Sequence, residues 1–118
     1  MNGVIYGLCS SEDEVIKYIG QTTTSLKNRL SGHLYNYNNK VNNKKNNWIK
    51  FVLNNGFEVK IIEIDYFHNI HADELDFWES YYINQFTCWG YELKNGTLGG
   101  KSGRKVSKRK KTKEETLS

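Results

Sequence analysis

The sequence predicts an α+β fold, a small domain in which short strands and helices are mixed rather than strictly alternating. Two observations carry this. Apolar residues recur with period two in the runs 3–8, 15–20 and 57–67, and with helical period in the stretches near 26–37, 48–56 and 71–86. Polar or glycine-containing breaks separate these runs.

Residues 3–8 (GVIYGL) form the first strand and 15–20 (VIKYIG) the second. The polar loop CSSEDE between them makes an antiparallel hairpin the natural connection. Val4, Tyr6 and Leu8 share one face, and Ile16, Tyr18 and Gly20 one face of the partner. Pairing Leu8 with Ile16 would set Tyr6 directly across from Tyr18. Thr24 or Ser25 then caps a helix whose stripe is Leu26, Leu30, Leu34 and Tyr37, with Arg29 and His33 inside it. Residues 36–47 hold seven asparagines and read as a polar loop. A short helix follows at 48–56, burying Trp48, Ile49, Val52 and Leu53, with Gly56 as its stop. A third strand occupies 57–67. The long helix 71–86 carries the stripe Leu75, Trp78, Tyr82, Ile83 and Phe86. Turn signals stand at Asn95-Gly96 and Gly99-Gly100.

The 118 residues suit one domain with one modest core, and 37% hydrophobic content is too high for a disordered chain. We divide it into a body, 1–100, and a basic tail or linker start, 101–118. Cys9 and Cys88 are spaced for neither a zinc finger nor a disulfide framework, so both are expected to be buried or half-buried thiols of a reducing compartment. Apolar runs are too short to span a membrane and no signal peptide is visible. The cytosol is the default location, or the host-cell cytoplasm for a viral chain. The net charge of +4 divides unevenly, with −2 in residues 1–100 and +6 in 101–118. Lys101, Arg104, Lys105, Lys108, Arg109, Lys110 and Lys111 are then either a solubilising run or candidate nucleic-acid-binding residues that grip phosphates without regard to sequence.

Glu79 is the sharpest anomaly. It follows Trp78 and stands four residues from both Leu75 and Ile83, so a carboxylate sits in or beside an apolar stripe. Burying it demands a salt bridge, a metal or a raised pKa. Arg29 and His33, one helical turn apart, likewise lie among leucines. An ion pair or a satisfied core histidine would explain either alone. Together the three make a polar cleft with one acid, one fixed cation and one group titrating near neutrality. Tyr6 and Tyr18 are either a cross-strand aromatic pair or two phenols lining that cleft.

Here the chain resembles the GIY-YIG nuclease superfamily. Its two triplets read Val4-Ile5-Tyr6, with valine in place of glycine, and Tyr18-Ile19-Gly20, extended as YIGQT. The family's helical Arg matches Arg29, the His one turn later His33, the metal-binding Glu Glu79, and the late Asn Asn95. The resemblance spans 3–100. It implies a three-stranded antiparallel sheet flanked by helices, and DNA as the partner. It also implies a single divalent ion, Mg²⁺ (or Mn²⁺), on Glu79, and hydrolysis leaving 5′-phosphate and 3′-hydroxyl ends. No small-molecule cofactor or membrane is implied. The catalytic set is then Tyr6, Tyr18, Arg29, His33, Glu79 and Asn95, with Asn95 orienting ligands or simply forming a turn before Gly96. The tail resembles the start of the basic modules that follow such domains in mobile-intron endonucleases. A phage, virus or mobile element is the expected source. A restriction or repair nuclease, and a DNA-binding module that has lost catalysis, are the rival readings.

Overall fold

The structure, a computed structural model, describes residues 1–37 and 43–96. Its order is β1 (Gly3–Ser10), β2 (Ile16–Thr22), α1 (Leu26–Asn36), α2 (Lys44–Asn54), β3 (Val59–Phe67) and α3 (Ala72–Cys88). The strands form one antiparallel sheet in the order β2-β1-β3, so the β1–β2 hairpin is extended by β3 on the far side of β1. This is the α+β class and three-stranded sheet expected from the sequence.

Strand alternation divides the core in two. Tyr6, Leu8 and Val59 point to one face and pack with Trp48, Ile49 and Val52 of α2 and with Leu26 and Leu30 of α1. Ile5, Cys9 and Ile19 point to the other and pack with Leu75 and Ile83 of α3, supported by Trp78, Tyr82 and Phe86. The sheet is thus a wall with α1 and α2 on one side and α3 on the other.

Two irregularities alter the expected register. Tyr6 lies opposite Gly20, and Leu8 opposite Tyr18, so the two tyrosines are diagonal neighbours rather than directly paired. A bulge then shifts the pairing, placing Cys9 opposite Ile16 and turning Ile16 to the α3 face, away from Tyr18. A second bulge, between Ile5 and Tyr6 on β1, inserts Ile64 into β3.

The helices begin as capping chemistry dictates. Ser25 caps α1, accepting from the Asn28 N–H at 3.0 Å. Leu34 is half out of the predicted stripe, and His33 is the only buried residue of α1. α2 starts at Lys44, four residues before the expected helix, because Asn43 accepts from the Asn46 N–H at 2.8 Å. Asn43 thus turns the end of the Asn-rich stretch into a helix start. Gly56, at φ +84°, takes the left-handed conformation that ends α2. Cys9 is buried, whereas Cys88 is exposed at the end of α3. No helix among the described residues is long and apolar enough to cross a membrane.

Candidate active site

Tyr6 is the centre of the site. Its side chain is fully buried, and its ring stands 6.4 Å from that of Tyr18. Gly20, opposite Tyr6 on β2, makes this possible. A Cβ there would lie 2.5 Å from the Tyr6 hydroxyl oxygen and 2.6 Å from Cζ. The phenol therefore lies over the glycine of Tyr18-Ile19-Gly20, and glycine is required for space rather than backbone conformation.

α1 brings two groups to the same oxygen. Arg29 Nε donates to the Tyr6 hydroxyl at 3.0 Å, and His33 Nε2 lies 2.7 Å from it. The His33 ring meets Tyr6 and Tyr18 edge-on at 5.8 and 5.6 Å. From α2, Lys45 Nζ approaches His33 Nδ1 at 3.1 Å and sits 5.7 Å over the Tyr18 ring. An ammonium can only donate, so Nδ1 must accept and the ring proton sits on Nε2. The Tyr6 oxygen then accepts from both Arg29 and His33, and its own proton points away from both.

The electrostatics follow from burial. Burial, then the positive charges of Lys45 and Arg29, push His33 from its usual 6.5 down to about 3, keeping the imidazole neutral. Burial also raises Tyr6, with Tyr18 adding to it, while the hydrogen bond and charge of Arg29 oppose the rise. Tyr18 is raised by burial and by the charge of Glu79, against Arg29. Lys45 is lowered by burial and by Arg29.

Glu79 arrives from α3, on the other side of the sheet. Gln21 of β2 holds it there, donating from Nε2 to Glu79 Oε1 at 2.9 Å and to Asp76 Oδ1 at 2.6 Å. The Glu79 charge acts on both Tyr6 and Tyr18, placing the acid within electrostatic reach of the phenols. An open groove of about 520 Å³ runs beside the site, lined by Gln21, Thr22, Thr23, Thr24, Asn28 and Arg29.

The structure thus gathers Tyr6, Tyr18, Arg29 and His33 into one contact network with Glu79 nearby. Asn95 does not join it. Its side-chain amide donates to the Ile19 carbonyl at 2.8 Å and accepts from the Ile19 N–H at 3.1 Å. The Lys94 N–H bonds to the Lys17 carbonyl at 2.5 Å. Asn95 therefore acts like one more strand residue along the outer edge of β2, bracing the strand that carries Tyr18 and Gly20. The tail residues Lys101 to Lys111 lie outside the described residues. Sequence reasoning missed Lys45, Gln21 and Asp76. Lys45 was hidden because its stretch read as loop; once α2 starts at Lys44, Lys45 precedes Ile49 by one turn and falls on the buried side. Asp76 stands one turn before Glu79.

Residues 2–92 match the family model of the GIY-YIG catalytic domain. The chain belongs to the GIY-YIG family. Membership makes it a nuclease of the GIY-YIG type, with endonuclease activity on DNA the general property of such domains. The match includes both triplets, Arg29, His33 and Glu79, and ends before Asn95. Comparisons with curated proteins and with solved structures gave no match.

Proposed function

We propose that this GIY-YIG protein is a divalent-metal-dependent DNA endonuclease that leaves 5′-phosphate and 3′-hydroxyl ends. The observation that carries the reading is the Tyr6 oxygen, held by Arg29 and His33 within 3.0 Å and within the field of Glu79. Two N–H donors on one phenolic oxygen both strengthen as that oxygen becomes anionic. Tyr6 is therefore the group we assign to take the proton of the attacking water, once its own hydroxyl proton has passed to solvent and left a phenolate that the two donors, and a cation at Glu79, would stabilise. In the resting protein burial keeps the phenol protonated.

The residues present fit a hard divalent cation. Glu79 offers carboxylate oxygen, and Asp76 lies beside it on the same Gln21 amide. That matches Mg²⁺ or Mn²⁺, which keep several waters and need only one or two carboxylates plus substrate phosphate. An ion held by Glu79, with Asp76 beside it, would supply positive charge against the negative charge building on the departing oxygen and would lower the Tyr6 pKa.

The guanidinium of Arg29 uses its Nε edge for Tyr6, and its two terminal nitrogens remain a second fork for the non-bridging phosphate oxygens. Lys45 fixes the His33 tautomer that keeps Nε2–H on Tyr6. Gln21 holds Glu79 in place, and Asn95 holds β2. The basic tail, from its composition, adds a sequence-blind grip on DNA. A source in a phage, virus or mobile element belongs to the same reading, and the Asn/Lys-rich composition of 36–47 adds only that the genome is AT-rich.

The test is incubation of supercoiled plasmid with Mg²⁺, with and without chelator, followed by analysis of the ends. The reading requires nicks only in metal, with ends that a polymerase extends directly and a kinase labels only after phosphatase treatment. Intact plasmid across Mg²⁺ and Mn²⁺, or cutting that survives the chelator, would overturn it.

A further inference from the structure

The net charge of the body conceals a division. Residues 15–57 contain no Asp or Glu and seven cations, Lys17, Lys27, Arg29, Lys40, Lys44, Lys45 and Lys50. Helix α3 is the reverse, with Asp73, Glu74, Asp76 and Glu79 and no Lys or Arg. The fold turns this sequence division into a spatial one. α1 and α2 pack on the Tyr6 face of the sheet and α3 packs on the Ile5 face. The helices on the Tyr6 side carry only cations and the helix on the other side only acids, although Glu63 of β3, opposite Tyr6, adds one exposed acid to the first side.

We propose that the α1–α2 layer is a docking surface for the backbone of double-stranded DNA, with Lys27, Lys44 and Lys50 as its phosphate contacts. This takes from the nuclease reading only that the polyanion is DNA. All three lysines are exposed. Lys27 and Arg29 share α1, while Lys44, Lys45 and Lys50 share α2, so the exposed cations flank the two helical residues that reach the Tyr6–His33 pair. A backbone lying on the layer is thereby led to the groove that Arg29 lines.

Charge complementarity selects the occupant, and screening makes the division effective. Two helix diameters of about 10 Å each, with the sheet between, separate the outer surfaces of the layers. The Debye length at physiological ionic strength is roughly 8 Å. DNA on the α1–α2 layer is therefore largely screened from Asp73 and Glu74 of α3, whereas Asp76 and Glu79 face the active site through Gln21, and a body of net charge −2 can still bind a polyanion.

The experiment measures binding of the full chain to a fluorescent mixed-sequence duplex in chelator, across a salt series. The proteins are the parent, Lys27→Ala/Lys44→Ala/Lys50→Ala, and Asp73→Lys on the opposite layer. Alanine favours helix, so these exposed changes leave α1 and α2 formed. Each lost phosphate contact removes about 0.9 from the slope of log K against log salt, so the triple variant should flatten it by roughly 2.7. Asp73→Lys should leave the slope as in the parent. A triple variant with the parental slope, or a steeper slope in Asp73→Lys, overturns the docking surface. If the parent cuts plasmid and the triple variant keeps its slope, the docking surface fails and the nuclease reading stands. If the parent binds through these lysines but never cuts, the reverse holds.

Discussion

Acidification should destabilise this protein through one side chain, His33. The ring is 2% exposed and lies between Tyr6 and Lys45, with its pKa lowered from 6.5 to about 3 by burial first and then by Lys45 and Arg29. On acidification the unfolded chain takes up this proton first, so the stability from keeping His33 neutral is full above the unfolded value and falls away from 6.5 toward 3. At about pH 5 the unfolded ring is almost wholly charged and the folded ring almost wholly neutral. The loss between about pH 7 and 5 is then about 2 kcal/mol from this group alone, at 1.36 kcal/mol per pKa unit. The assay is urea unfolding at both pH values for the parent and for His33→Gln, which keeps a polar group beside Tyr6 but does not titrate. His68, His71 and the carboxylates are common to both proteins, so their contributions largely cancel in the comparison. The parent should lose about 2 kcal/mol more than the variant. Parallel losses would show that His33 titrates alike in both states and would refute the buried, neutral imidazole.

Three further substitutions probe the same oxygen. Gly20→Ala drives a Cβ against the Tyr6 hydroxyl, so stability should fall by about 1–3 kcal/mol and cleavage with it; an unchanged melting temperature with parental cutting would show that the phenol does not need the glycine. Arg29→Lys should not rescue Arg29→Ala, because a lysine has no fork; single-turnover cleavage should drop by about 30- to 1000-fold, equivalent to 2–4 kcal/mol, and cutting within a few fold of the parent would reduce Arg29 to a local charge. Lys45→Met removes the donor to His33 Nδ1, so the ¹⁵N shifts of the ring should move from the Nε2–H tautomer in the parent toward a mixture; a parent already in the Nδ1–H form would contradict the assignment.

Much of the site could be read in the sequence because its residues violate local patterns. Arg29 and His33 stand inside a leucine stripe, Glu79 stands beside another, and Tyr6 and Tyr18 share a face of the sheet by simple alternation. What could not be read depends on departures from regular periodicity. The bulges opposite Cys9 and at Ile64 change the pairing by one residue, and no period-2 count reveals an inserted residue. The Cys9 bulge moved Ile16 to the other face and, together with a turn that sets Cys9 rather than Leu8 opposite Ile16, made the expected Tyr6–Tyr18 pair a diagonal. The start of α2 was concealed because Asn43 is one asparagine among seven between 36 and 47, and only its side-chain bond to the Asn46 N–H distinguishes it. Lys45 was lost with it. Asn95 resembles a turn former in sequence, but its amide binds the Ile19 backbone 76 residues away, a contact no local pattern encodes. The charge division between α1–α2 and α3 is present in the sequence, yet it disappears when charges are totalled over the whole body.

The central claim is that Glu79 supplies the metal site of a hydrolytic centre built on Tyr6. Metal-dependent cleavage of supercoiled plasmid by Glu79→Ala, beside its binding to an intact duplex in chelator, tests it most directly. The account predicts that the variant folds and binds DNA as the parent does, and cuts no faster with Mg²⁺ than with chelator. Parental metal-dependent cutting by the folded Glu79→Ala protein would contradict it.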